Sequence, residues 1–241
     1  MNPLMTSLII SSLALGTIIT LSSHHWLLAW LGLELNTLAI IPLIAEQHHP
    51  RATEAATKYF LTQAAASALL LFASTTNAWL TGTWNIIELS SQPASIMLTM
   101  ALAMKLGLAP LHFWLPEVLQ GTTMKTALII TTWQKLAPLA LLYLTYNTLH
   151  PMTLLTMALL SNIIGGWGGL NQTQTRKIMA FSSIAHLGWM ASILTISPNI
   201  MLLNLMMYIL MTLPTFMLLM FSSAKTIQDL TMTWPTSPTT T

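Results

Sequence analysis

Apolar stretches of membrane-spanning length follow one another along this chain with very little polar sequence between them, and that succession allows few folds. A helix needs about 20 mainly apolar residues to cross a bilayer. Eight stretches qualify: Pro3–Leu21, His25–Ala45, Thr57–Leu80, Ala94–Leu115, Thr123–Tyr146, Met152–Leu170, Ile178–Ile196 and Ile200–Ser222. Breakers punctuate them, among them His49-Pro50, Gly82, Pro116 to Gly121, Asn147 to Pro151 and Ser197-Pro198-Asn199. Only 6% of residues are charged and 54% are hydrophobic. Soluble domains carry roughly a quarter charged residues, so this surface must face lipid. The expected fold is an all-α integral membrane bundle of about eight transmembrane helices.

The same numbers exclude several functions. A net charge of +2 with no run of Lys or Arg gives nothing to grip phosphates, so nucleic acid is not an expected partner. Cysteine is absent, which removes disulfides, thiolate metal sites and iron–sulfur ligation together. No charged n-region precedes a short apolar core and cleavage site, so no cleaved signal or transit peptide is expected.

Loop charges test the helix count. Arg51 and Lys58 follow the second span, Lys125 the fourth, Arg176 and Lys177 the sixth, and Lys225 the eighth. The odd-numbered connections hold no Lys or Arg. Eight spans therefore put every loop cation on one side, and the positive-inside rule puts that side and the N-terminus where the chain is made. A miscounted span would scramble this segregation.

Three charges remain at mid-span: Glu34 in the second, Lys105 in the fourth and Lys135 in the fifth. Each costs ~2.5–3.5 kcal/mol at a helix centre, so the three oppose insertion by about 8 kcal/mol unless they pair or meet water. One carboxylate cannot neutralise two ammonium groups, which favours a proton relay over a static salt bridge. A carboxylate ~4 Å from a lysine is worth ~4 kcal/mol at an effective dielectric of 20, and at ~8 Å only ~2. A small helix shift could thus load or release a proton. Thr131, Thr132 and Gln134 lie beside Lys135 and are expected to orient water.

The fourth span also reads as broken. In Lys105-Leu106-Gly107-Leu108-Ala109-Pro110, the proline offers no N–H to the carbonyl of Leu106, which must find another partner inside the membrane. Discontinuous helices beside ion pathways are common in transporters. His112 and His186 also lie within spans and are further pathway candidates, although a hydrogen-bonded core histidine explains His186 equally well. Two intramembrane histidines cannot ligate a two-haem bundle, and no haem, copper or other metal site is expected. Gly165-Gly166-Trp167-Gly168-Gly169 has no strand before it and no Lys-Ser/Thr after it, so close helix packing or an unwound segment is expected rather than a phosphate loop.

Several segments together resemble a known family. They are His25–Glu34, Lys58–Gln63, Lys105–Glu117, Trp133–Pro138, Gly165–Gln174 and Ser182–His186, and they cover the chain from end to end. Their pattern is similar to the antiporter-like membrane-arm subunits of mitochondrial NADH:ubiquinone oxidoreductase, respiratory complex I. The resemblance implies inverted repeats of five helices, each with a broken helix. On that basis residues 1–146 form the first repeat, 147–223 three helices of an incomplete second repeat, and 224–241 a polar loop or truncated tail. Glu34 and Lys105 would match the family's Glu–Lys pair, and Lys135 its connecting lysine. It further implies proton translocation in the mitochondrial inner membrane, with the cationic loops on the matrix side. The partners would be other membrane-arm subunits and membrane lipids. No cofactor is implied for this chain, because NADH, FMN, iron–sulfur clusters and ubiquinone are handled by neighbouring subunits. A stand-alone cation/proton antiporter and a purely structural scaffold, with the charges as salt bridges, are the alternatives.

Overall fold

The computed structural model describes residues 3–46 and 49–233. The part of the expected tail from Trp234 on lies outside the described residues. Helices follow in the order α1 (Pro3–Ser22), α2 (Trp26–Ile44), α3 (Pro50–Thr81), α4 (Gln92–Leu106), α5 (Trp114–Gly121), α6 (Met124–Thr131), α7 (Trp133–Thr145), α8 (Pro151–Leu170), α9 (Thr175–Leu194), α10 (Pro198–Ser222) and α11 (Ile227–Thr233). Among the described residues the only β-type pairings are two isolated bridges, His25 with Asn85 and Gln174 with Thr226.

Six units are long and apolar enough to cross a membrane: α1, α2, the α6–α7 pair, α8, α9 and α10. The other two expected spans are α3 and the α4–α5 pair. With 32 residues α3 runs about 48 Å, well beyond a hydrocarbon core of about 30 Å. It begins at Pro50 rather than Thr57, which draws Arg51 into its first turn. The segment after α10 also departs from the expected polar tail, since α11 forms there with Asp229 accepting from the Lys225 and Thr226 amides.

Local chemistry explains most ends. His25 and His49 each accept a backbone N–H through the side chain, from Leu27 and Arg51, and so cap α2 and α3. Pro50 takes the first-turn position where its missing N–H costs nothing. Buried serines and threonines donate to their own helix three or four residues back, as Thr20 does to Thr17 and Ser74 to Leu71. A chain rich in hydroxyls can therefore lie in lipid without orphan donors. The glycine-rich run stays helical to Leu170. A Cβ at Gly165 would stand 2.7 Å from the Ala185 backbone nitrogen, and one at Gly168 2.5 Å from the Phe181 ring. Close packing of α8 on α9 is thus the outcome, not an unwound segment.

The buried apolar side chains form two clusters, and the boundary between them positions the site. On α2, Leu33 belongs to one cluster and Ile40 to the other, with Glu34, Asn36 and Thr37 between. On α3 the change runs from Tyr59 past Gln63 to Leu70, and across the α6–α7 break from Ile130 past Lys135 to Ala137. A polar layer therefore crosses the interior of the bundle, closed by apolar side chains above and below. Loop cations gather at one end, where His49, Arg51, Arg176 and Lys225 border a single cavity of about 470 Å³. The opposite end holds the His25–Asn85 bridge, with the His25 ring stacked on Trp84.

Candidate functional site

Two breaks in helices meet in the polar layer. The first ends α4. Gly107 takes φ +79, the left-handed region open to glycine. The Leu108 amide reaches back to Ala103 O and the Gly107 amide to Met104 O, the paired closure of a Schellman turn. Lys105 sits in this last turn, where the partial negative charge of the helix end favours a cation. The chain then runs without α-helix through Pro110 and His112 until Trp114 opens α5. The Trp114 indole N–H donates back to Met104 O at 3.1 Å and ties the two halves together.

The second break falls at Thr132, between α6 and α7. The Lys135 amide bonds Thr132 O at 3.3 Å instead of Thr131 O, the partner four residues back. Lys135 consequently enters in the first turn of α7, 1% exposed, and donates through Nζ to the carbonyl of Leu106. This is the carbonyl that Pro110 cannot serve. Nζ also stands 5.5 Å from the centre of the Trp114 ring. Both lysines thus address the carbonyl end of α4, Lys105 from within and Lys135 from across.

Glu34 approaches from α2. Its Oε2 and the Nζ of Lys105 are buried, and neither has a hydrogen-bond partner among the described residues. The two are within electrostatic reach without forming a contact ion pair. Lys135 has no carboxylate at ion-pair distance among the described residues. A cavity of about 10 Å³, lined in part by Gln63, Lys105, Gln134 and Lys135, links the lysines. That is about the least volume that admits one water.

Other expected site residues are placed differently. His112 is buried in the link between α4 and α5, off any helix it could share with Lys105. Its Nδ1 has no hydrogen-bond partner among the described residues, and its ring lies 4.3 Å from that of Phe113. His186 is exposed on the flank of α9, its ring 5.4 Å from Tyr208, so it is not a core histidine. Thr131 and Thr132 have their hydroxyl protons engaged by their own helix, while Gln134 lines the small cavity between the lysines. The two hydroxyls donate to Ala127 O and Leu128 O, and the Gln134 amide donates to Asn36 O at 3.2 Å. Sequence reasoning missed Tyr59, packed edge-on against Trp114, and Tyr208, whose hydroxyl donates to Thr131 O at 2.9 Å. Trp114 was legible as the aromatic end of Lys105–Glu117, but its role as the clasp of the break was not.

A helical bundle with a broken span, internal lysines and one facing carboxylate defines a class. The chain belongs to the NADH:quinone oxidoreductase/Mrp antiporter transmembrane family, which it matches over residues 23–240. Within that class the similarity is to one subunit. The chain is 59% identical over 239 residues to NADH-ubiquinone oxidoreductase chain 2 of Salmo salar, spanning 99% of this chain and 68% of the relative. The same protein of Latimeria chalumnae is 60% identical over 238 residues, and that of Xenopus laevis 59% over 241, which is 70% of its length. Among solved structures, a chain of respiratory complex I from Thermus thermophilus superposes with a TM-score of 0.84 at 32% identity, covering 91% of this chain and 52% of that one. A chain of the Mrp complex from Dietzia sp. shares the fold, with a TM-score of 0.80 at 18% identity. The chain therefore spans about two thirds of its curated relatives and about half of the solved chains.

Proposed function

We propose that this chain is a membrane-arm subunit of a proton-translocating NADH:ubiquinone oxidoreductase and moves protons through Glu34, Lys105 and Lys135. It is a multi-pass protein of the mitochondrial inner membrane, and the reading places its N-terminus and cationic loops in the matrix. Residues 1–146 serve as the first five-helix repeat and 147–223 as part of the second. The redox steps, from NADH through FMN and iron–sulfur clusters to ubiquinone, belong to neighbouring subunits, so this chain's contribution is proton movement alone.

One observation carries the reading: two buried lysines stand at the same helix end, and only Lys105 lies within electrostatic reach of a buried carboxylate, Glu34. A structural salt bridge would consume one lysine and leave the other charged in a medium that penalises charge. Glu34 holds the charge of Lys105 through space rather than by contact, so a modest shift of α2 changes their attraction by about 2 kcal/mol. Lys135, anchored on Leu106 O and joined to Lys105 through a one-water cavity, is placed to pass the proton on.

The test is Glu34→Gln in the assembled complex. Proton transport and coupled NADH oxidation are expected to fall several-fold with assembly retained. Complexes that carry this substitution and still pump normally would show the pair to be structural. Orientation is tested separately by single cysteines: those beside Arg51, Lys125 and Arg176 should label from the matrix, those beside Asn85 and Ser197 from the opposite side.

A further inference from the structure

The break at Thr132 has no proline or glycine to cause it. Residues 124–137 contain neither, and Pro138 comes six residues after Thr132. An unbroken helix would bond the Lys135 amide to Thr131 O; here that amide turns to Thr132 O and Thr131 O is left free. Inside a membrane a free carbonyl needs a donor. The donor comes from α10, where the Tyr208 hydroxyl, 2% exposed, reaches Thr131 O at 2.9 Å. Its ring is held from one side by His186 of α9, and its own carbonyl accepts from Thr212 one turn on.

We infer that Tyr208 is a positioning residue: by occupying Thr131 O it keeps the fifth span broken and so keeps Lys135 Nζ on Leu106 O. The hydroxyl proton is committed to a backbone carbonyl, which suits an anchor and not a carrier. With Tyr208 in place, the carbonyl that the break frees has a donor, so the broken form leaves no orphan acceptor inside the membrane. Without it, the amide can recover Thr131 O, the helix closes by one bond, and the side chain of Lys135 rotates away from α4. An element of the second repeat thereby sets the geometry of the first, and any movement of α10 would be felt at Lys135. The functional consequence rests on the relay reading above; the structural one does not.

The experiment is Tyr208→Phe in the assembled complex, which keeps the ring and removes the donor. Losing a buried hydrogen-bond partner should shift the balance between broken and continuous helix by roughly tenfold or more. A structure of this variant is expected to show the Lys135 amide on Thr131 O and Nζ withdrawn from Leu106 O. The pH profile of proton transport should move with it, whereas Thr212→Val, which touches only α10's own bond, should leave both as they are. A variant that retains the break and the Lys135–Leu106 contact overturns the inference, whatever its activity. If the helix closes but transport and its pH profile stay normal, the inference stands and the relay reading fails. In the unmutated protein, isotope-edited infrared spectra should contain one buried phenol that donates to a carbonyl and resists exchange in D2O. Free exchange of all four tyrosine hydroxyls would equally overturn it.

Discussion

The two breaks that meet at the site are made in opposite ways. At the end of α4 the cause is local: Gly107 supplies the left-handed turn, Pro110 withholds an N–H, and Trp114 clasps the loop from seven residues on. At Thr132 neither glycine nor proline marks the break, and the carbonyl it frees, that of Thr131, is met by Tyr208, 77 residues on in sequence. A break written into its own residues is a fixed part. One held by a side chain from another helix can open and close as that helix moves. Lys105 belongs to the first kind and Lys135 to the second, a division that suits a pair in which one lysine stays and the other switches.

This contrast can be broken by substitution. The largest stability effect should come from Gly107→Val, because a β-branched residue at φ +79 is strained by about 2 kcal/mol in its backbone. Gly107→Ala should cost about half of that. Next comes Trp114→Phe, which deprives Met104 O of one of its two donors and should cost about 1 kcal/mol in denaturant titrations. The smallest change should be Thr132→Ala, within about 0.5 kcal/mol, since that hydroxyl only bonds back to its own helix. If Thr132→Ala destabilises the chain as much as Gly107→Val, the second break is local after all and the contrast fails.

The parts that could be read from sequence follow the same line. The succession of apolar helices, one broken helix and three misplaced charges were all legible, because each leaves its mark within a few residues: an apolar run, a Gly and a Pro, a Glu or Lys inside a span. The partner of Leu106 O was legible as a need but not as Lys135. The break at Thr132 left no glycine or proline to mark it, and the donor that meets its freed carbonyl lies on α10. The same limit applies to Thr131 and Thr132, because sequence does not show that their hydroxyl protons are engaged by their own helix. His186 was open between a pathway residue and a core histidine because span membership says nothing about which side of a helix faces the bundle.

The most direct test of the account is proton transport with Lys135 replaced in two ways at matched assembly. Lys135→Met keeps a similar volume and removes a buried charge, so assembly should be unchanged or slightly improved while pumping, and NADH oxidation coupled to it, fall. Lys135→Arg keeps the charge but cannot release a proton at any accessible pH, so it should fail as badly as Met. Arginine restoring transport where methionine does not would show that position 135 supplies a fixed positive charge, and the relay would be contradicted.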